Sequence, residues 1–424
     1  MTYLVIGAGP AGLAAIRSLK EAELPVEAAE RNADVGGQWL YGAQSSAVYA
    51  STHLISSKAT TAFADFPMPE AWSAYPSRVQ IEQYFRDFAK YFDLYPLIRF
   101  SDGVKTLERG ATGWRATFDR GETREYDGVV IANGHLSDPL IPKVPGNFSG
   151  SVLHAKEYKS PEIFEGKRVL IVGMGNTGCD IVVDAIHRAK SVLWSVRGGN
   201  HFVPKFVAGK PADLRNHTAR IVLPKWLRSR LHEPIARLLA GPPERFGLPK
   251  PEHRLYDRTP IVNSLVLLHL GQGDVSVRKP VRSFDGDAVV FEDGVRDEVD
   301  IVVFATGYKI TFPFLDDLSP LNWQPQFGAP RLYMNVFPPD DNGLFVAGLL
   351  EGAGVGWPGR ALQTDLIATY LKAKRAKAAA AEAFRREINA YGTAPSHEDR
   401  GEHGIFVDFL QYKRDLKRAI ARLS

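Results

Sequence analysis

The feature that most constrains this chain is its opening. An apolar run, Tyr3-Leu4-Val5-Ile6, breaks into Gly7-Ala8-Gly9-Pro10-Ala11-Gly12, and a helical pattern follows to about Lys20. Val26 to Glu30 reads as a second short strand. Strand, turn, helix, strand is the start of a parallel dinucleotide-binding sheet. In G-x-G-x-x-G the first glycine permits the tight turn, the second admits a pyrophosphate to the backbone, and the third lets helix and strand pack closely. Pro10 and Ala11 open a helix whose free N–H groups and partial positive charge suit phosphate. Glu30, followed by Arg31, stands where an acid hydrogen-bonds ribose hydroxyls.

The unit recurs. Lys167-Arg-Val-Leu-Ile-Val ends in Gly173-Met174-Gly175-Asn176-Thr177-Gly178, so the same residue types again follow a buried strand. Here the next strand, Val192 to Val196, ends in Arg197 and not in an acid. An arginine pairs with a 2′-phosphate that an acid would repel, so the second site should prefer NADPH over NADH. Other core strands are expected at 125–134, at 299–304 leading into Thr306 and Gly307, and at 344–349, which contains Gly348. The loop 351–357 follows that last strand and should pass near a ligand, because such sheets bind ligands at their strand ends.

The expected fold is α/β, with two Rossmann-like dinucleotide-binding domains. An FAD-binding domain is made from both chain ends, 1–156 and 301–424 with C-terminal helices, and an NADPH-binding domain is inserted at 157–300. The Pro- and Gly-rich stretch 138–150 reads as an interdomain connection. Residues 205–258 hold twelve Lys and Arg against five Asp and Glu and read as a basic insertion. Within it, 223–239 has a helical apolar pattern at Trp226, Leu227, Leu231, Ile235 and Leu238. A lid over the active site is the favoured role, ahead of a membrane-surface helix. An exposed helix is expected at 371–385.

Composition removes several alternatives. The net charge is only +4, which gives no general case for nucleic acid. The single cysteine, Cys179, excludes a disulfide framework and a redox dithiol, and with them the disulfide reductases, which share the two-site plan; no metal site is expected. Two dinucleotide sites on one chain then mean a flavin and its reductant. No run of eighteen apolar residues occurs and no basic leader precedes the first strand, so a cytoplasmic protein without a transmembrane segment is expected. A homodimer is left open.

A longer pattern carries a family resemblance. Phe148-x-Gly150-x-x-x-His154-x-x-x-Tyr158-Lys159 and Phe304-Ala305-Thr306-Gly307-Tyr308 resemble the two signatures of the flavin-containing monooxygenases, the class B flavoprotein monooxygenases, here of bacterial type. Glu30-Arg31 with Gly36-Gly37-Gln38-Trp39 is similar to that family's FAD adenosine and pyrophosphate segment. Ser56-Ser57-Lys58 and Asp65-Phe66-Pro67 resemble its segment over the flavin. The likeness covers most of the chain, apart from about 205–258 and the tail after about 370. Typical Baeyer–Villiger enzymes carry Trp-Pro where this chain has Tyr158-Lys159.

The resemblance implies that NADPH reduces FAD, that O₂ gives a flavin hydroperoxide shielded by NADP⁺, and that a small soft nucleophile, an amine nitrogen or a sulfur, takes one oxygen atom. Its rivals are an NADPH oxidase or flavin reductase releasing H₂O₂, and ketone oxygenation. One departure matters. The family typically has Asn two residues before the Ser-Lys pair, and this chain has Ile55. Losing one such hydrogen-bonding group can cost about 3 kcal/mol of stabilisation. Ile55 and Ser57 are therefore the flavin-face residues to locate, with His53 and Ser56 as stand-ins for the missing side chain. His154 is expected to orient the connection between domains, with Tyr158 and Lys159 structural or near the nucleotide.

Overall fold

The computed structural model describes residues 1–424 apart from 215–224, 322, 324–328, 341, 353 and 394–404. Ten strands make its two main sheets. In chain order they are β1 (Tyr3–Ile6), β2 (Val26–Ala29), β3 (Ile98–Arg99), β4 (Gly128–Ile131), β5 (Ser151–His154), β6 (Arg168–Val172), β7 (Ser191–Ser195), β8 (Val275–Arg278), β9 (Ile301–Phe304) and β10 (Leu344–Val346). The first sheet has the order β3-β2-β1-β4-β10 and the second β8-β7-β6-β9-β5, with every neighbouring pair parallel. A parallel sheet is covered on both faces and needs continuous apolar strands. The central strands β1, β4 and β9 are accordingly buried at every position.

The helices used below are α1 (Pro10–Glu21), α2 (Arg78–Tyr91), α3 (Asn176–Ile186) and α4 (Gly356–Arg375). In both sheets an antiparallel three-stranded meander leads into the fourth strand of the plan. It is Val104–Arg109, Trp114–Phe118 and Thr123–Tyr126 before β4, and Val281–Asp285, Ala288–Phe291 and Arg296–Glu298 before β9. The duplication seen in the glycine loops thus extends through the whole of each unit.

The second unit is wider than the range 157–300. Its edge strand is β5, with His154 opposite Phe304, and β9 is an inner strand of the same sheet. β5 is a four-residue edge strand, exposed over its first half, so it lacks the buried apolar run that marks a strand in sequence. The expected helix 371–385 is also divided. α4 ends at Arg375, Lys377 takes a positive φ of 52°, and a new helix runs Ala379–Thr393.

In the basic insertion a helix spans Lys225–Ala240, while Leu223 and Pro224 of the expected helix lie outside the described residues. Most of its large apolar residues do not turn inward: Trp226, Leu231, Ile235 and Leu238 are exposed, while Ala236, Ser229 and Arg228, paired with Asp408, are buried. Among the described residues no helix is long and apolar enough to cross a membrane.

Candidate functional site

Each unit builds its ligand loop in the same way. Gly7 and Gly173 turn out of β1 and β6 with φ of 102° and 121°, a conformation L side chains rarely adopt. A Cβ on Gly12 would lie 1.8 Å from the Gly7 carbonyl oxygen, and one on Gly178 would lie 2.4 Å from that of Gly173. Both third glycines are therefore packing residues, and neither faces a cavity. The second glycines have more room: nothing lies within 4 Å of a Cβ on Gly175, and one on Gly9 would make only an ordinary contact of 3.5 Å with Gly37.

A first cavity, with about 940 Å³ of free space partly open to solvent, lies at the carboxyl ends of β1, β2 and β4. Of the residues expected to hold the first dinucleotide, Gly7, Gly9, Pro10, Ala11, Glu30, Arg31, Gly37, Gln38 and Gly348 line it. Trp39 does not; its ring is buried in the first unit's core. Glu30 has a second task that the spacing did not suggest. One carboxylate oxygen accepts from the Ala8 N–H at 2.7 Å and the other from the backbone and side-chain N–H of Asn32 at 2.8 and 2.6 Å. The acid so ties the glycine loop to the end of β2. Trp357, at the end of the loop 351–357 expected near a ligand, lines this cavity, as do Asn133, His135 and Arg360, which were not picked out by sequence.

A second cavity, with about 2030 Å³ of free space that includes open solvent, is lined by Gly173, Gly175, Arg197, Thr306 and Gly307. Lys143, Arg258 and Arg282 line it too. With Asp257 and Glu351 also on the wall, these four cations leave the lining net positive, as suits a phosphorylated ligand. Arg258 belongs to the basic insertion and Lys143 to the Pro-rich connection, so their only sequence signal was an excess of positive charge. Asn176 and Thr177 are not among the lining residues. The Asn176 side chain fastens a neighbouring loop, accepting from the Val262 N–H at 2.8 Å and donating to the Pro260 carbonyl at 3.2 Å. The two cavities approach one another where His135, on the first, meets Glu351, on the second, with Nε2 and Oε1 3.2 Å apart.

The long Phe148–Lys159 pattern is architectural. Phe148 stacks on Phe284 at 5.0 Å, and a Cβ on Gly150 would lie 2.4 Å from the Asp300 carbonyl oxygen. His154 is buried. Its Nδ1 accepts from the Lys156 N–H at 3.1 Å, which leaves Nε2 to donate to the Gly307 carbonyl at 3.0 Å. Burial lowers its pKa, so the ring is a neutral link between the two signature segments, and Tyr308 packs edge-on against it at 5.0 Å. Tyr158 donates to Asp184 at 2.7 Å, and Lys159 donates to the carbonyls of Ser46, Val48 and Lys156. With both imidazole nitrogens occupied, His154 has no general-base geometry.

The segment expected over the flavin is held by acids of the second unit. Tyr49 donates to Asp180 at 2.7 Å and Ser51 to Asp184 at 2.6 Å, both on α3. Asp213, from the insertion, accepts from the Ser57 N–H at 2.7 Å and from the Thr60 hydroxyl at 2.6 Å. Burial raises the Asp180 carboxyl above its ordinary value. Ser57 is buried and Ile55 is exposed; neither lines either cavity. The two stand-ins for the missing amide are engaged locally, His53 with the Ser51 carbonyl at 2.8 Å and Ser56 with Thr61 at 2.6 Å. Cys179 is fully buried in the second unit's core, and burial pushes its thiol well above the ordinary range, which suits a packing residue.

Comparison with known proteins places this geometry. The model of a family described as flavin-binding monooxygenase-like matches residues 2–422. Flavin-containing monooxygenase 5 of Mus musculus is 31% identical over 440 residues, covering 97% of this chain and 81% of that protein. Dimethylaniline monooxygenase [N-oxide-forming] 2 of Pan troglodytes is 32% identical over 397 residues, covering 87% and 72%. The structure of cyclohexanone monooxygenase from Rhodococcus sp. Phi1 bound to NADP⁺ superposes with a TM-score of 0.72 at 19% identity, covering 99% of this chain and 97% of that one.

Proposed function

The chain belongs to the flavin-binding monooxygenase-like family, an FAD-dependent and NADPH-using group, and on that premise we propose that it oxygenates a small soft nucleophile, an amine nitrogen or a sulfur. The first cavity takes FAD and the second takes NADPH. The observation that carries this assignment is the asymmetry at the two strand ends. β2 is followed by an acid, Glu30, suited to ribose hydroxyls, and β7 by a site with Arg197, Arg258 and Arg282, suited to a 2′-phosphate.

When bound, FAD accepts electrons from NADPH and activates O₂; the chain's residues supply binding, orientation and exclusion of water. The loops of Gly9 and Gly175 admit the two pyrophosphates to the helix N-termini. The contact of His135 with Glu351 brings the cavities together where flavin and nicotinamide must meet. Asp180, Asp184 and Asp213 tie the segment 49–60 to the NADPH unit. An amine substrate is favoured by the N-oxide-forming relative. Tyr158-Lys159, in place of Trp-Pro, speaks against ketones.

Ile55 favours a second reading, in which reduced flavin is reoxidised with release of H₂O₂. Turnover of a tertiary amine with NADPH under ¹⁸O₂ separates the two. The proposed function requires one labelled oxygen in the amine product per NADPH consumed. Full recovery of the consumed NADPH as H₂O₂, with unlabelled substrate, would leave the oxidase reading.

A further inference from the structure

Arg360, on the first turn of α4, lines the first cavity beside Trp357. Its Nη1 donates to the Gly356 carbonyl at 2.8 Å and its Nη2 to that of Leu350 at 3.4 Å. Among the described residues no carboxylate pairs with it; Glu351 acts on it only through space and is itself engaged with His135. Burial lowers its pKa, the direction expected of a desolvated cation without a counter-ion. A half-buried guanidinium whose hydrogen bonds go only to two carbonyls keeps donor capacity for an anion, so the cavity suits a negative charge at this point.

Two anions are candidates, the pyrophosphate of FAD and its reduced ring. The pyrophosphate already has the N-terminus of α1 and the glycine loop. Arg360 stands elsewhere. On the general dinucleotide plan Glu30 stands where ribose hydroxyls are held and Gly9 to Ala11 form the phosphate loop, and all of them line the same cavity as Arg360. Gly348 closes over Ala11, where a Cβ would approach to 2.8 Å, and α4 begins beyond it. Trp357, stacked on Tyr84 at 5.2 Å, fixes that first turn of α4 in place.

Hydride transfer from NADPH puts two electrons and one proton on the flavin and leaves it one negative charge. We propose that Arg360 is the counter-charge to the reduced flavin and so sets its reduction potential. The inference rests on FAD occupying the first cavity.

The test compares FAD-loaded wild type, Arg360→Gln and Arg360→Lys by spectroelectrochemistry, together with the affinity of each apoprotein for oxidised FAD. The glutamine variant should shift the oxidised-to-reduced ratio about tenfold toward oxidised, a midpoint potential about 30 mV lower for a two-electron couple. The lysine variant should restore it, and oxidised FAD should bind all three alike. Arg360→Met is the second neutral variant if glutamine does not fold. A wild-type potential in the neutral variants overturns the role. So does equal weakening of FAD in both oxidation states, the signature of a pyrophosphate partner. Gly9→Asp tests the premise separately: unchanged FAD binding there would displace the flavin from this cavity.

Discussion

The two dinucleotide units share one plan and differ in what closes it. Each has five parallel strands in the same order, a glycine loop on its first strand and a meander before its fourth. The first unit takes its edge strand β10 from far along the chain, while the second takes β5 from just upstream. In the first unit Glu30 bonds the glycine loop itself; in the second no acid ends β7 and arginines line the cavity instead. On the proposed assignment the scaffold fixes where a dinucleotide lies, and a few strand-end charges decide which one. Those charges are where the comparison can be broken.

The largest effect is expected at the third glycines. Gly12→Ala forces a backbone clash and should destabilise the first unit by about 3 kcal/mol or more, with loss of flavin. Gly178→Ala has slightly more room and should spare the flavin while abolishing NADPH binding. Flavin content and nucleotide titration read both; equal flavin loss in the two variants would break the division of labour. Next is Arg197→Ala. Removing a charge-assisted contact should weaken NADPH by about 1.5–3 kcal/mol and NADH far less. Equal loss for both nucleotides, measured by titration, would remove the specificity claim.

His154 gives a smaller effect with a defined sign. Its folded pKa is depressed by burial, so below about pH 6.5 the unfolded chain binds a proton that the folded chain refuses. Stability present above that pH should fall as the pH drops through it. His154→Asn should flatten that slope and cost about 1–3 kcal/mol, read by thermal melts across pH 5 to 8. The smallest effect is expected from Ile55→Asn, because the residue lies outside both cavities. It should lower the H₂O₂ released per NADPH; no change would mean that the position has no part in oxygen handling.

What could be read from sequence follows from where the information is local. Gly7 to Glu30 and Lys167 to Arg197 are single strand–turn–helix–strand runs, so loop, helix and strand-end residue lie within about thirty positions of each other. Long-range convergence was legible only in part. β10 was expected as a strand of a domain built from both chain ends, but β5 is an edge strand whose partner is distant in sequence, and Arg258, Arg282, Lys143 and Arg360 reach their cavities only through tertiary folding. Trp39 misled because its segment lines the cavity while its ring turns into the core. The signature around His154 was readable as a pattern, but its physical content is a hydrogen bond to Gly307 across 153 residues.

The division of labour is tested most directly by titrating the FAD-loaded Gly175→Asp variant with NADP⁺ and NADPH. A Cβ there meets nothing within 4 Å, so the side chain fits and places a negative charge in the second cavity's phosphate loop. The account predicts wild-type flavin content with nucleotide binding weakened at least about tenfold, the factor equal to 1.4 kcal/mol of charge repulsion. Unchanged nucleotide binding, or loss of flavin with NADPH affinity retained, would contradict it.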